Sequence, residues 1–391
     1  MSLRIAIVAA EASGDLLGGG LMAALRERLP DVQFEGIGGE QMQAQGLQSL
    51  EPMETLSVMG LVEVLSHLPR LLRLRADLRK RWREQPPDLF IGVDAPDFNL
   101  GLECSLRKAG VPTVHYVSPT VWAWRPKRVV KIRAAVDLLL SIFPFEQKFL
   151  QQHGVRSAYV GHTLAAQMPL EPDRAGARRK LGIADDQPVL AVLPGSRAGE
   201  VSRLARPFLQ TAQGLGERIE GLRIVTPLVN QSTRDLYQAA IAQHAPGLDV
   251  QIVMGDSRNA LAAADLVLAA SGTATFEALL SKRAMVVGYK LNALTYWLAR
   301  LLKLVRIDNV AMANLLAGER LAPEFIQAEC EPEHLLPALL DLFEQPQKVQ
   351  AITQRYREIH TELVTDTNAM AAEAVLQLLR ERGALQNDSV V

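Results

Sequence analysis

Short apolar runs alternate with amphipathic stretches along most of this chain. Arg4 to Ala10 is a β-branched and alanine-rich run of strand length, and Gly14 to Leu29 then repeats at helical spacing. The alternation continues through predicted strands at Leu89 to Val93, Thr113 to Val117 and Leu138 to Ser141. Met168 to Lys180, rich in Pro, Arg and Glu, has no strand character and reads as a connection. A second alternating unit opens at Val189 to Leu193 and carries further strands at Leu222 to Pro227, Val250 to Val253, Leu266 to Ala270 and Met285 to Tyr289. After Glu333 only helices are predicted, to about Arg382, and the tail from Gly383 is expected to fray. The pattern predicts an α/β protein of two doubly wound domains, residues 1–170 and 171–365. A C-terminal helix and tail, 366–391, packs back on the first domain or exchanges with a second subunit.

Length and composition agree with two full cores. The 391 residues are 48% hydrophobic and 22% charged, with a formal net charge of −1, so nothing global asks for nucleic acid. Cys104 and Cys330 stand apart and the seven histidines form no ligand spacing, so neither a metal nor a disulfide framework is expected. No apolar run approaches the ~18 residues of a spanning helix, and a cytoplasmic protein is expected.

The chemistry gathers where predicted strands end. Val189 to Leu193 runs into Pro194, Gly195, Ser196 and Arg197 before a helix from about Glu200. A glycine there lets backbone N–H groups approach an anion, and Arg197 can fork two phosphate oxygens; a plain strand-to-helix turn is the alternative. Ser271, Gly272 and Thr273 repeat the design after Leu266 to Ala270, with Glu277 in the first turn of the next helix as a cap or a ribose ligand. Neither G-x-G-x-x-G nor a Walker motif is present, because Gly18, Gly19 and Gly20 come too late, inside a helix.

In the first half, Asp94 and Asp97 end the strand Leu89 to Val93, and Pro96 is expected to keep their loop extended. One of them can take a proton from an attacking hydroxyl, whereas as structural residues Asp94 would cap the helix from Asn99 and Asp97 would be solvated. The strand end His115 to Arg125 brings Trp122 and Arg125 to the same edge, suited to sugars or acyl phosphates, or to helix packing.

Two basic amphipathic segments point to a membrane surface. Leu61, Leu65, Leu68 and Leu72 fall at helical spacing, and the stripe continues to Trp82 beside Arg70, Arg73, Arg75, Arg79, Lys80, Arg81 and Arg83. Trp297 and Leu301, with Arg300, Lys303 and Arg306, repeat the design. Such faces either settle into anionic lipid or pack on their own sheets.

With these residues in place, the chain resembles the lipid-A-disaccharide synthase family over nearly its whole length. The likeness rests on Glu11 to Asp15, Ser57 to Val64, Gly92 to Asn99, Tyr116 to Arg125, Leu193 to Arg197, Ser271 to Glu277, Asn309 to Leu316 and Pro323 to Phe325. One departure is Thr163 after Gly161-His162, where proline is expected. The resemblance implies a GT-B architecture, two Rossmann-like domains facing across a cleft. It implies transfer of 2,3-diacylglucosamine from UDP-2,3-diacylglucosamine to 2,3-diacylglucosamine 1-phosphate, β-1,6-linked and inverting, in lipid A and lipopolysaccharide biosynthesis. No cofactor is implied, and the enzyme would sit peripherally on the cytoplasmic face of the inner membrane. Asp97 is then the expected base with Asp94 as substitute; Gly195, Ser196, Arg197 and Ser271 to Thr273 hold the diphosphate, and Glu277 the ribose. Ser13, Glu11, Asn99, Trp122, Arg125, Asn314 and Gln327 are assigned to substrate, the last two by the likeness alone. Rival readings are a UDP-N-acetylglucosamine 2-epimerase-like enzyme, a membrane-associated nucleotide-sugar binding module and, for want of the glycine fingerprint a weaker fit, a dehydrogenase.

Overall fold

The computed structural model describes residues 3–56, 61–119, 128–292 and 310–385, and for 61–67 the helix without its side chains. The chain divides into two compact units, Met1–Ala166 together with Val364–Val391, and Gln167–Leu363.

The first unit is built on β1 (Arg4–Ala9), α1 (Ala12–Arg28), β2 (Gln33–Ile37), α2 (Glu40–Ala44), β3 (Leu47–Ser49), α3 (Leu61–Glu84), β4 (Leu89–Val93), α4 (Pro96–Lys108), β5 (Thr113–Tyr116), α5 (Val129–Ala135), β6 (Leu138–Ser141), α6 (Pro144–Gln152) and β7 (Ser157–Tyr159), with α7 (Thr163–Gln167) leading out. Its seven strands run in the order β3-β2-β1-β4-β5-β6-β7, all neighbours parallel. The second unit carries α8 (Arg174–Leu181), β8 (Val189–Leu193), α9 (Ala198–Gly216), β9 (Arg223–Leu228), α10 (Gln231–His244), β10 (Val250–Met254), α11 (Ser257–Ala263), β11 (Leu266–Ala270), α12 (Thr273–Leu280), β12 (Ala284–Tyr289) and β13 (Glu324–Ile326). Its six strands are ordered β10-β9-β8-β11-β12-β13, again all parallel. Both orders reverse direction after the first strand, so the switch points lie between β1 and β4 and between β8 and β11, where this architecture places ligands.

The strands that sequence reading missed are β2, β3, β7 and β13. Three of them are three-residue edge strands, and β2 hides behind the charge of Glu35. That carboxylate is buried against α3, where Trp82 Nε1 donates to Oε1 at 2.7 Å and Arg81 Nη2 to Oε2 at 2.9 Å. Burial raises the Glu35 carboxyl, yet these hydrogen bonds, with the charges of Arg81 and Arg4, bring it below its ordinary value.

The glycines of α1 serve close packing. A Cβ on Gly18 would fall 2.7 Å from Met42 Sδ, and one on Gly19 3.1 Å from the Gln41 backbone, so both glycines let α2 lie against α1. On Gly20 it would meet Asn368 Oδ1 at 2.4 Å. That asparagine belongs to the helix Thr367–Glu381, which packs on α1 within the first unit, Arg28 of α1 pairing with Glu373 and Arg156, just before β7, with Glu381. Thr163 is the first residue of α7, a position where proline is equally at home, so the departure at this position leaves the helix start unchanged.

Candidate active site

At the first switch point, Glu11 follows β1 and precedes α1 with extended backbone; Glu11 and Ser13 are exposed there. The first turn of α1 lies against β4, and a Cβ on Gly14 would make an ordinary contact there, 3.6 Å from the Val93 carbonyl. Asp15, from the same motif, is buried and accepts N–H bonds from Gly39, Gln41 and Met42 at 2.8, 2.9 and 3.1 Å, which makes it the brace of α2.

The β4–α4 turn differs from the extended loop expected of it. Asp94 and Ala95 both adopt left-handed backbone, φ 52 and 43, and Pro96 opens α4 at its first position. A residue before proline is barred from right-handed helix, and two successive non-glycine residues in this region store strain of a kind found at functional sites. Asp94 N–H donates to the Tyr116 carbonyl at 2.8 Å, and its own carbonyl accepts from Asn99 Nδ2 at 2.9 Å. No side chain caps α4, so Asp94 is not its cap. The Asp94 carboxylate is half-buried and has no ionic partner among the described residues. Asp97, the base expected from sequence, is instead in the first turn of α4, 81% exposed, with Arg128 Nη2 at 2.6 Å from Oδ1. Asn99 is fully buried, and its amide reaches the carbonyls of Val8, Val93 and Asp94. It clamps the turn and offers no exposed surface to a sugar.

At the second switch point the two loops are unequal. After β8, Gly195 has φ 117, and a Cβ there would stand 2.6 Å from Glu200 Cβ. Glu200 Oε2 accepts the N–H groups of Ser196 and Arg197 at 3.2 and 3.3 Å, so a carboxylate fills the backbone cradle expected to hold phosphate. The Arg197 side chain is 77% exposed and only 3.7 Å from Glu200, which leaves its guanidinium available. After β11, Ser271 donates to the Val310 carbonyl at 3.0 Å and Gly272 takes φ 133, ψ −151, a region reserved for glycine. Thr273 begins α12, which has no side-chain cap, and the Thr275 N–H donates to the Gly272 carbonyl at 3.1 Å.

Glu277 lies beyond the first turn of α12 and caps nothing, which removes the capping alternative. Burial pushes its carboxyl up, against a hydrogen bond from Ser257 and the charge of Arg258. Asn314 is fully buried: Nδ2 donates to the Ala322 carbonyl and to Glu324 Oε1, and Oδ1 accepts Ala322 N–H. Glu324 in turn takes the N–H groups of Val310 and Ala311, so Asn314 supports the segment behind Ser271. Gln327 has φ 56 and accepts Leu291 N–H at 2.5 Å. Trp122, Arg125, Trp297 and Leu301, and the side chains of Leu61 and Leu65, lie outside the described residues. Leu68 and Leu72 are 41% and 46% exposed, whereas Leu74, Leu78 and Trp82 on the same helix are buried.

Sequence reading missed Arg128 and Glu200. Glu200 had a signal, a glutamate three residues into the helix, hidden by starting that helix at Glu200 itself. Among the described residues no three His, Cys, Asp or Glu gather as a metal site. No described helix is long and apolar enough to cross a membrane.

Two parallel Rossmann-type sheets, with a strained carboxylate turn at one switch point and a helix start without a side-chain cap at the other, make this an α/β protein of GT-B fold. The family model of lipid-A-disaccharide synthetase matches residues 5–378. A lipid-A-disaccharide synthase of Escherichia coli O127:H6 is 49% identical over 376 residues, 96% of this chain and 98% of the relative. The chain belongs to the lipid-A-disaccharide synthase family. Solved structures at low identity share the fold: Anabaena HepE in complex with UDP and glucose (TM-score 0.59, 14% identical, covering 97% of this chain and 100% of that one), and UDP-GlcNAc 2-epimerase of Neisseria meningitidis bound to UDP-GlcNAc (TM-score 0.60, 10% identical, 97% and 100%).

Proposed function

We propose that the protein is a lipid-A-disaccharide synthase, moving 2,3-diacylglucosamine from its UDP carrier to 2,3-diacylglucosamine 1-phosphate with inversion and release of UDP. The observation that carries this reading is the 49% identity to a curated synthase along 96% of the chain. The epimerase reading shares only the fold.

Inverting transfer asks for one base at the acceptor hydroxyl and a stabiliser for the departing diphosphate. Asp94 takes the first role. Its carboxylate has no salt-bridge partner among the described residues, whereas the Asp97 carboxylate is exposed and paired with Arg128. Asp97 then orients Arg128, whose charge suits the acceptor phosphate. Ser271, Gly272, Thr273 and the open end of α12 receive the diphosphate with Arg197, and Glu277 accepts ribose hydroxyls. Glu200 takes the Ser196 and Arg197 N–H groups, so that loop contributes through its arginine side chain. Glu11, Ser13 and Gln327 remain candidates for sugar hydroxyls. Acylated substrates bring the enzyme to the inner membrane, and exposed Leu68 and Leu72 beside Arg70 and Arg73 support peripheral attachment.

The test is UDP release in detergent, with a metal chelator, from UDP-2,3-diacylglucosamine with and without the acceptor. Release only when both sugars are present is the expected result. Release without acceptor would favour hydrolysis or epimerase-like chemistry, and none at all, with donor bound, a binding module.

A further inference from the structure

The face of α4 directly beneath the Asp94 turn is polar. Asn99 and Glu103 lie one turn apart on α4, His115 sits opposite on β5, and all three are fully buried. His115 Nδ1 and Glu103 Oε1 are 2.7 Å apart, so one hydrogen lies between them whichever group carries it. Gly92, the register partner of His115, makes the room: a Cβ there would fall 2.2 Å from Glu103 Oε1 and 2.8 Å from Asn99 Cβ. Asn99 Oδ1, Glu103 Oε2 and His115 Nε2 find no hydrogen-bond partner among the described residues.

Stability gives no reason for such a layer. A buried ionisable pair is commonly matched or bettered by apolar side chains of similar volume, and each orphaned polar atom adds a cost. Burial pushes the Glu103 carboxyl up, against the attraction of His115 and Lys131. The placement supplies the reason. The strained backbone of Asp94 is held from two sides, by Asn99 of α4 on its carbonyl and by the Tyr116 carbonyl of β5 on its N–H. Glu103 and His115 join those same two elements, one helical turn and one residue away.

We propose that Glu103 and His115 are positioning residues for Asp94: their buried hydrogen bond sets the spacing of α4 and β5, and through Asn99 and Tyr116 the direction of the Asp94 carboxylate. This rests on the reading of Asp94 as the base. Neither residue touches substrate.

The test compares the full chain with Glu103→Leu/His115→Leu, Glu103→Gln and Asp94→Asn, following transfer kinetics, thermal midpoint and hydrogen exchange of the peptide 92–99. The double leucine variant is expected to fold with an unchanged or higher midpoint and to lose about tenfold or more in kcat while donor KM stays within about twofold. Exchange at 92–99 should quicken. Glu103→Gln, which keeps a hydrogen bond to His115, should retain kcat within about threefold. Wild-type kcat and exchange in the double variant would overturn the proposal, as would a kcat loss matched by an equal rise in donor KM. Should that variant fail to fold, His115→Phe decides, because its ring keeps the shape of the imidazole with no nitrogen facing Glu103, and the same kcat-only loss is required. Turnover retained by Asp94→Asn would instead remove the base assignment itself, whatever the pair variants do.

Discussion

Asp94 and Asp97 are three residues apart and differ in almost every physical respect. Asp94 stands ahead of the helix on left-handed backbone, and Asp97 sits on the helix with a guanidinium at 2.6 Å. A positioned general base contributes about 10²- to 10⁴-fold, so Asp94→Asn should lower kcat by that order, while Asp97→Asn should stay within about tenfold. Turnover measured on both variants decides, and the reverse ranking would return the role to Asp97. Gly272 offers a second residue-scale prediction. Nothing stands within 4 Å of where its Cβ would be, so the obstacle to a side chain is purely the backbone at φ 133. Gly272→Ala should cost about 1–3 kcal/mol or reshape the loop. A raised KM for UDP-sugar with acceptor KM unchanged is expected; unaltered donor kinetics would exclude this loop from the diphosphate site. The motif residues were legible as residue types, yet their roles were not. Asn99 and Asn314, assigned to substrate in the sequence reading, are held in buried hydrogen bonds, since burial and partner are decided by other segments of chain.

At the scale of elements, α3 combines both fates weighed for an amphipathic helix. Its later turns bury Leu74, Leu78 and Trp82 on the sheet, and its middle exposes Leu68 and Leu72. One helical stripe was visible in sequence, but the point along it where packing stops depends on how far the sheet extends beneath. Leu68→Gln/Leu72→Gln should weaken sedimentation with phosphatidylglycerol vesicles, and leave the thermal midpoint unchanged because neither residue supports the core. Equal vesicle binding by the variant would refute the membrane role of this face. Raising salt should weaken binding of both proteins, the cations contributing about 1 kcal/mol each near an anionic surface. The strands that read clearly in sequence are those buried on both faces, such as VLAVL and LVLAA.

At the scale of the whole molecule the chain passes from the first unit to the second after Ala166 and returns at Val364. Gly161, with φ 86, lets the outgoing strand approach Thr365 so closely that a Cβ would fall 1.8 Å from its hydroxyl oxygen. His162 beside it is held down to about 4 by burial, against an ordinary value of 6.5. The unfolded chain therefore binds the extra proton between these values, and stability is full above 6.5 and falls as pH drops towards 4. At pH 5 the loss amounts to about 2 kcal/mol from this residue. Urea midpoints at pH 7 and pH 5 check it: His162→Gln should narrow the gap between them, and an equal gap in both proteins would exclude His162 as its source.

The sequence alone determined the two parallel sheets, because strands buried on both faces must be continuously apolar and their crossovers amphipathic. It also determined which loops carry chemistry, since glycine, serine and acid residues directly after such strands fall at the sheet's carboxyl edge. Tertiary structure decided which of those residues is free to act. Asp97 meets Arg128, Glu200 closes the cradle of its own loop and Asn99 is spent on the turn beneath Asp94. Partners distant in the chain, or set by a turn's handedness, leave no periodic trace in sequence, because it is the three-dimensional path that brings them within hydrogen-bonding distance.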